Sequence, residues 1–304
     1  MNVEKIITLA SREVKISFLV FERSLRQAGC DLPLHVIPYG EDRFELPSNA
    51  EWWDNQGFVS WLHQQKAHPM MAKYRCLTEA NYAYFDTDIC VLDDFRPILV
   101  PHTNFVVADT EWSKPWWTST PESIAILSQK SSLWMLSLFN AGHFACDHAL
   151  YSEAELQSVS EKYRETCLVY RHHEQPGINL LVSLTNVEAT NLCLPPYNME
   201  STMAVDYPGE WEGIWSRGHR PYFIHFAGNL IGPDIPISRL FYDFLSQAER
   251  KEWAAIEEEK SNSRLWLQKW PLQIRFLNGL VRMVDKRFFV QPRLSEHHLS
   301  KQSR

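Results

Sequence analysis

Two aspartates one residue apart, Asp86 and Asp88, interrupt an apolar run that extends from Ala83 to Leu92. Side chains two residues apart in an extended backbone point to the same side, so the two carboxylates converge if a strand ends there. Converging carboxylates are the ligands that hard cations such as Mg²⁺ and Mn²⁺ prefer. The pattern predicts a metal site that binds diphosphate oxygens. The alternative is an ordinary turn, in which aspartate is common.

Other predicted strands also end in small or polar residues, and these ends gather at one edge of a mostly parallel sheet. They are Ser11, Asn140-Ala141-Gly142 and His225-Phe226-Ala227-Gly228. An imidazole beside two carboxylates suits Mn²⁺, so His225 is a candidate third ligand. The alternative for His225 is a hydrogen-bonded structural histidine, although the glycine at 228 permits close backbone approach.

A second crowded group holds His143, Cys146, Asp147 and His148. Its spacing matches no zinc pattern. We interpret it as a helix start that carries incidental polar residues.

The elements that would position these residues begin with a strand–helix–strand unit. Strands are predicted over 6–11 and 34–38, with a helix over 13–28 that Ser11 caps and Gly29 ends. The unit predicts a parallel pair with a right-handed crossover. The same patterns predict helices over 58–65, 70–80, 153–170 and 176–185, and strands over 105–109, 191–194 and 222–226.

Composition bounds the function classes. The 304 residues carry a net charge of −7, but residues 261–304 hold nine Lys/Arg against two Asp/Glu, which leaves −14 on the rest. An acidic body with a basic tail does not fit nucleic-acid binding. The sequence has neither signal-peptide nor transmembrane character, and its six scattered cysteines predict buried free thiols in a reducing compartment.

The ordered set of motifs resembles the GT-A nucleotide-sugar-dependent glycosyltransferases, and among them the glycogenin-like and galactosyltransferase-like group with an Asp-x-Asp motif. The resemblance covers about residues 5–230. It rests on Leu9-Ala10-Ser11, Ala72-Lys73-Tyr74-Arg75, Tyr84-Phe85-Asp86-Thr87-Asp88, Phe139-Asn140-Ala141-Gly142, Glu174-Gln175-Pro176-Gly177-Ile178-Asn179 and His225-Phe226-Ala227-Gly228. In two places the chain departs from the family pattern. Glu174 stands where Asp is frequent, and Asn229 to Pro233 replaces a Lys-Pro-Trp run that commonly supplies a phosphate-binding lysine.

The resemblance implies a role for each matching position. Thr8, Ala10 and Ser11 would lie by the nucleoside. Lys73 or Arg75 would approach the phosphates or position Asp86. Asp86 and Asp88, with His225, would hold Mn²⁺ or Mg²⁺. The segment Asn140 to Gly142 would border the donor sugar, with Gly228 close to the donor. Glu174 and Gln175 would face the sugar and the acceptor, and Asn179 would support their loop.

The resemblance therefore implies an α/β protein of the GT-A type, with a Rossmann-like, mostly parallel central sheet flanked by helices. Residues 1–245 would be the catalytic domain and 246–304 a helical, basic extension. The enzyme would move a sugar from a UDP- or GDP-sugar to a glycan, lipid-linked or small-molecule acceptor in the cytoplasm. The resemblance favours a retaining reaction. An inverting reaction needs a carboxylate base, for which the candidates are Glu174, Asp147 and Asp109.

Two other function classes stay open from sequence. A non-catalytic sugar-nucleotide or glycan-binding module would use the same pocket without turnover. A phosphohydrolase of the haloacid-dehalogenase type also has an apolar strand ending in Asp-x-Asp, but there the strand normally opens the chain. Here about 80 residues and a strand–helix–strand unit precede it.

Two aromatic segments carry further expectations. Trp112, Trp116 and Trp117 lie in a polar, Pro-containing loop, where we expect at least one indole to contact the acceptor. In the tail, Trp270, Ile274, Leu277 and Val281 share one face of a predicted helix, and Arg275, Arg282 and Lys286 share a different face. Such a helix is typical of a peripheral membrane anchor. The alternative is a helix that packs on the catalytic domain.

Overall fold

The computed structural model describes residues 1–38, 40, 42–109, 119–169, 174–209, 211, 215, 219–228 and 231–268. The chain divides into two compact units, 1–251 and 252–304. The first unit contains both β-sheets and the candidate site. The described part of the second unit is helical.

The described residues form nine strands. They are β1 Lys5–Ala10, β2 Leu34–Pro38, β3 Ala50–Trp52, β4 Tyr82–Phe85, β5 Ile89–Val91, β6 Phe105–Val107, β7 His143–Cys146, β8 Ala189–Asn191 and β9 Phe223–His225.

Eight α-helices accompany the strands in the described part of the chain. They are α1 Lys15–Gln27, α2 Gln56–Gln65, α3 Arg96–Leu99, α4 Pro121–Lys130, α5 Glu153–Lys162, α6 Gln175–Leu184, α7 Arg239–Tyr242 and α8 Gln247–Gln268. A ten-residue 3₁₀ helix, Pro69–Thr78, leads into β4.

Seven strands form one mixed sheet in the order β3-β2-β1-β4-β7-β6-β8, and β5 and β9 form a separate antiparallel pair. Within the large sheet only β7 runs antiparallel to its neighbours β4 and β6. The carboxyl ends of β1, β4, β6 and β8 therefore meet the amino end of β7 at one edge. This edge is where the polar residues of the candidate site collect.

The large sheet is buried on both faces. Alternate residues of β4 point to opposite sides, so Tyr82 and Tyr84 join one apolar cluster while Ala83 and Phe85 join the other. On the first face the ring of Tyr84 stacks on Phe144, with centroids 4.9 Å apart. The packing fixes β4 up to its last residue, so that the two aspartates emerge from a rigid strand.

The predicted strand–helix–strand unit is confirmed. β1 and β2 pair in parallel, with Ile6 opposite Leu34, and α1 connects them. The predicted cap is wrong. Ser11 precedes a short 3₁₀ turn, α1 begins three residues after that turn starts, and the Ser11 side chain makes no capping hydrogen bond.

Three other element predictions need correction. Residues 143–146 form strand β7 and not a helix start. The apolar segment before Asn140 contains a 3₁₀ helix, so Asn140 to Gly142 precede a strand and do not end one. The helix predicted over 153–170 ends at Lys162 and is followed by a π-helical turn at Glu165–Val169. Hydrophobic periodicity alone does not distinguish a helix from a strand in elements this short.

All six cysteines are free, and five of them are buried. No helix among the described residues has both the length and the apolar character needed to cross a bilayer. The Trp-rich loop and the predicted tail helix lie outside the described residues.

Candidate active site

Asp86, Asp88 and His225 come together at the edge of the large sheet. Each offers one ligand atom, and these atoms lie within 4.8 Å of one another. The imidazole Nε2 of His225 lies 3.1 Å from Oδ1 of Asp88 and 3.9 Å from Oδ2 of Asp86. The predicted metal-binding residues are therefore neighbours in space.

The small sheet holds Asp88 and His225 in register. After Asp86 the chain leaves the large sheet and enters β5, whose first residue, Ile89, pairs with His225 of β9. The backbone N–H of Phe226 donates to the carbonyl of Asp88 at 3.0 Å. Gly228 adopts a left-handed conformation, with φ at 68°, and its N–H donates to Oδ2 of Asp88 at 3.1 Å. Glycine adopts that conformation without steric cost.

The charges of Asp88 and His225 support each other. Burial opposes the charged form of both groups, but the neighbouring imidazolium and the Gly228 amide bring the pKa of Asp88 below its usual range. In turn Asp88 and Asp86 raise the pKa of His225 above its usual value despite burial. Without a metal, the protonated imidazole thus balances the carboxylates; a metal ion would take over that charge as the proton leaves, because only a neutral imidazole can be a ligand.

These three residues fit a hard divalent cation. An octahedral ion with ligands at about 2.0–2.1 Å separates neighbouring ligand atoms by about 3 Å and opposite ones by about 4 Å. The three ligand atoms lie within 4.8 Å of one another, on the scale of these separations. Carboxylate oxygens suit hard cations such as Mg²⁺ and Mn²⁺, and imidazole is a common ligand of transition-metal ions.

Lys73 connects the metal candidates to Glu174. Its side chain is fully buried, and its Nζ lies 2.9 Å from Oδ1 of Asp86 and in an ion pair with Oε1 of Glu174. Burial lowers the pKa of Lys73, but the two carboxylates outweigh it and raise that pKa above its normal value. The hydroxyl of Tyr84 donates to the same Asp86 oxygen at 2.6 Å. Asp86 is therefore fixed from two sides.

The segment Asn140 to Gly142 is held by hydrogen bonds at each residue. The Asn140 N–H donates to Asp109, the Ala141 N–H donates to Gln175 at 3.2 Å, and the Gly142 carbonyl accepts from the Asp86 N–H at 2.7 Å. Gln175 is the first residue of α6, and Glu174 immediately precedes that helix. These bonds bring the predicted sugar-side residues beside the metal candidates.

Asn179 supports this arrangement as predicted by the resemblance. Its side chain accepts from the Phe139 N–H at 2.9 Å and donates to the carbonyls of Phe139 and Gln175. It therefore ties α6 to the segment that leads into Asn140.

Two hydroxyls near the end of β1 are buried without a hydrogen-bond partner among the described residues. They belong to Thr8 and Ser11, two of the three residues assigned to the nucleoside. Ala10, the third, is fully buried. A buried polar group without a partner is costly. Ser11, directly after β1, lies at the carboxyl edge of the sheet and is suited to bind a polar ligand there, whereas Thr8 lies inside the strand with no exposed surface.

Two sequence candidates take other positions. Arg75 stacks on the ring of Trp53 at 3.7 Å and donates to the carbonyl of the same residue. Asp147 follows β7 at the edge opposite Asp86, where it bonds to His148 and to the Asn104 N–H. Asp147 is therefore not a base in this site.

Cys146, Asp147 and His148 do cluster closely enough to hold an ion. Burial, however, raises the pKa of the Cys146 thiol to about 11, which disfavours the thiolate that a metal would need.

Sequence reasoning did not find several supporting contacts. The Tyr84 hydroxyl was not assigned a role, although it lies two residues before Asp86 on the same side of the strand. The carbonyl of Thr202 accepts from the His225 N–H at 2.7 Å, and no local pattern marks that residue. The sequence predicts only an incidental polar position for His143. It bonds instead to the Tyr84 carbonyl and the Tyr222 hydroxyl.

Comparisons with solved structures identify the fold. The galactosyltransferase LgtC, in complex with donor and acceptor sugar analogues, matches with a TM-score of 0.52 and 14% identity over 81% of this chain and 99% of that chain. The apo-form glycosyltransferase GlyE of Streptococcus pneumoniae TIGR4 matches with 0.50 and 12%, over 86% and 64%. The bifunctional glycosyltransferase WbbM matches with 0.50 and 14%, over 81% and 50%.

This chain has the fold of these glycosyltransferases, the GT-A fold that the motifs predicted. It spans nearly the full length of LgtC, about two thirds of GlyE and half of WbbM. No protein-family model matches the sequence, and no curated protein matches it.

Proposed function

We propose that this protein is a metal-dependent glycosyltransferase that moves a sugar from a nucleotide-diphosphate sugar to an acceptor. The observation that carries the proposal is the convergence of Asp86, Asp88 and His225 at the carboxyl edge of a GT-A sheet. Ligands of open α/β sheets bind at this edge. The buried Ser11 hydroxyl, directly after β1 and without a hydrogen-bond partner among the described residues, supports a nucleoside position at the same edge.

In this proposal the cation is Mn²⁺ or Mg²⁺, held by Asp86, Asp88 and His225. Such an ion, when bound, neutralises negative charge that builds on the departing nucleoside diphosphate. The protein orients its ligands beforehand: Lys73 and Tyr84 fix one carboxylate, and the Gly228 amide fixes the other. Groups held in place in this way need little rearrangement during the reaction.

Glu174 and Gln175 are assigned to the sugar and acceptor side. Oε1 of Glu174 pairs with Lys73, while its buried Oε2 has no hydrogen-bond partner among the described residues. We assign Oε2 to accept a hydrogen bond from a sugar hydroxyl. Gln175 holds the Ala141 amide and so places the segment that borders the donor sugar. Positioning of donor and acceptor supplies much of the remaining rate enhancement.

The donor in this proposal is a UDP- or GDP-sugar, and the acceptor is a glycan or a lipid-linked or small molecule. We place the enzyme in the cytoplasm. Its basic tail would contact the inner face of a membrane when the acceptor is lipid-linked, because each basic residue near an anionic leaflet contributes about 1 kcal/mol.

A non-catalytic sugar-nucleotide-binding module is the second candidate, since the same residues can bind a donor without turnover. The buried Lys73–Glu174 pair favours catalysis, because burying two charges is costly and such groups cluster at reactive sites. A haloacid-dehalogenase-type phosphohydrolase is not favoured, because the fold matches glycosyltransferases.

Hydrolysis of nucleotide sugars with and without Mn²⁺ tests the proposal. A thermal-shift panel of UDP- and GDP-sugars first identifies the donor. The Asp88→Asn variant should then lose Mn²⁺-dependent hydrolysis of that donor by at least about 100-fold, as expected when a ligand that orients a catalytic ion is replaced.

Asp147→Asn is the matched control, because it changes an aspartate beside a histidine at the opposite edge of the sheet. It should keep full activity. Metal-dependent turnover that survives in Asp88→Asn would contradict the metal assignment. Donor binding without any turnover in the wild type would identify a binding module.

A further inference from the structure

We infer that Gly142 is a positioning residue for His225. Its hydrogen-only side chain leaves the space in which the imidazole lies while it reaches both aspartates. The inference rests on the proposed function in one respect: a misplaced ring lowers metal affinity only if His225 is a metal ligand. It goes beyond the role of Gly142 as a border of the donor sugar.

The contact between Gly142 and His225 is very close. A Cβ atom added at Gly142 would lie 2.2 Å from Cε1 and 2.6 Å from Nδ1 of His225. Real Cβ atoms essentially never approach another heavy atom within 3.0 Å. The same Cβ would lie 2.9 Å from Oδ1 of Asn140, a smaller overlap that the Asn140 side chain would have to relieve. The two closest contacts are with the imidazole, so any residue other than glycine at 142 would chiefly have to displace the ring.

His225 has little freedom to move away. Its backbone pairs with Ile89 in the small sheet, and its N–H donates to the Thr202 carbonyl at 2.7 Å. The residue is 5% exposed, and protein interiors hold few voids into which a ring can turn. A displaced imidazole would therefore lose its present approach to the two aspartates.

Gly142 cannot yield easily either. Its carbonyl accepts from the Asp86 N–H at 2.7 Å, and its own N–H donates to Oδ1 of Asn140 at 2.8 Å. The next residue, His143, is paired with Phe85 in the large sheet. The glycine is thus part of the framework that also carries the first aspartate.

Space and not backbone conformation explains the need for glycine at 142, since its φ lies outside the positive range where L side chains are strained. Gly228 is the opposite case. It has a positive φ, but an added Cβ would meet nothing within 4 Å. Substitution at 142 therefore tests the contact with the ring without a change in backbone preference.

A double-mutant cycle in the full-length protein tests the inference. The four proteins are the wild type, Gly142→Ala, His225→Ala and the double variant, with Gly209→Ala as matched control. Gly209 has no atom within 4 Å of an added Cβ and no positive φ. Two quantities are measured for each protein: the thermal unfolding midpoint without metal, and Mn²⁺ affinity from the electron paramagnetic resonance signal of free Mn²⁺.

We expect Gly142→Ala to lower the unfolding midpoint in the wild type. The effect should be smaller in the His225→Ala background, where the ring is gone and only the 2.9 Å contact with Oδ1 of Asn140 remains. We expect it to weaken Mn²⁺ binding about 10- to 100-fold in the wild type, the usual effect of disturbing a group that orients a ligand. In the His225→Ala background it should change Mn²⁺ affinity little. Gly209→Ala should match the wild type in both measurements.

Equal effects of Gly142→Ala in both backgrounds would overturn the inference, because independent sites add. If Gly142→Ala fails to fold, the double variant decides: recovery of folding supports the contact, and failure of both variants contradicts it. If the wild type does not bind Mn²⁺, the proposed metal dependence is wrong. The unfolding cycle without metal then still decides whether Gly142 positions the ring.

Discussion

Lys73 lies fully buried between two carboxylates, and its charge compensates both of them. Replacing it by Met would leave Glu174 buried with no opposite charge among the residues that the structure describes. We expect Lys73→Met to lower the free energy of unfolding by about 3–5 kcal/mol, the usual cost of breaking a buried ion pair from one side. Chemical denaturation measures this, with exposed Lys162→Met as the control.

The same change carries a pH signature. The pKa of Lys73 is raised above its ordinary 10.5, so its stabilising contribution is complete below that pH and is lost only in more alkaline solution. The contribution of Lys73 to the stability of the wild type should therefore stay constant across the neutral range. Adding Glu174→Gln to the variant should restore part of the loss. A variant as stable as the wild type would show that the ion pair contributes nothing.

His143 gives a prediction in the acidic range. Its Nδ1 bonds to the Tyr84 carbonyl, which only accepts, so Nδ1 carries the proton and Nε2 accepts from the Tyr222 hydroxyl. Burial lowers the pKa of His143 to about 3. The unfolded chain, with an ordinary pKa of 6.5, binds a proton that the folded protein does not, so stability falls as pH decreases below 6.5.

At about pH 5 this residue should cost about 2 kcal/mol relative to neutral solution. His143→Gln, whose amide can keep both hydrogen bonds, should remove that part of the pH dependence. The measurement is the free energy of unfolding of both proteins at neutral pH and at pH 5. Equal pH slopes for the two proteins would contradict the assignment.

At the residue scale, the sequence identified candidate site residues better than it predicted the contacts that those residues make. Asp86, Asp88 and His225 stand out because charged or polar residues interrupt apolar strands, and the structure brings them together. The Gly142–His225 contact could not be predicted, because it joins residues distant in the chain through packing alone. Arg75 was a reasonable phosphate candidate by type, but it stacks on Trp53.

At the scale of elements, prediction worked where the hydrophobic period was long and uniform. β1, α1 and β2 form the unit that was predicted, and β4 ends at the aspartates. It failed where elements are short. Strand β8 occupies Ala189–Asn191 where 191–194 was predicted, because a three-residue strand has too few positions to show a period.

The 3₁₀ helix that carries Lys73 and the helix α6 beside Glu174 meet at Gly177. A Cβ added there would lie 1.8 Å from the hydroxyl oxygen of Tyr74, which donates to the Cys167 carbonyl at 2.9 Å. A Gly-to-Ala change in a helix ordinarily stabilises by up to about 1 kcal/mol. Here overpacking and the strained hydrogen bond should outweigh that gain, with a net loss of about 1–3 kcal/mol.

Thermal and chemical unfolding of Gly177→Ala measures this loss, with Gly209→Ala again as the matched control. Because the change separates the elements that hold Lys73 and Glu174, donor turnover should fall while Mn²⁺ affinity changes little. A Gly177→Ala protein more stable than the wild type would contradict the prediction, because the two elements could then move apart without lowering the free energy of unfolding.

At the scale of the whole molecule, charge is divided unevenly along the chain. Residues 261–304 carry a net charge of +7, against −14 for the other residues. Composition alone reveals this division of charge. Sequence leaves two candidate surfaces to which the tail could bind: an anionic membrane and the acidic body of the protein. Both would attract the tail by the same long-range electrostatics, which salt screens.

Co-sedimentation of the full-length chain with anionic vesicles distinguishes these surfaces. A variant with Arg275→Glu, Arg282→Glu and Lys286→Glu reverses three charges that share one face of the predicted tail helix. A matched control reverses three exposed lysines of the body, with Lys15→Glu, Lys162→Glu and Lys251→Glu. If the tail docks on membranes, the wild type and the control bind vesicles at low salt and the tail variant does not.

The tail variant should lose about 1 kcal/mol of binding free energy for each basic residue removed from the surface. Binding should also weaken as salt rises, since the Debye length shortens from about 30 Å at 0.01 M to about 8 Å at 0.15 M. Equally poor binding of all three proteins at low salt would contradict membrane docking and favour attachment of the tail to the acidic body.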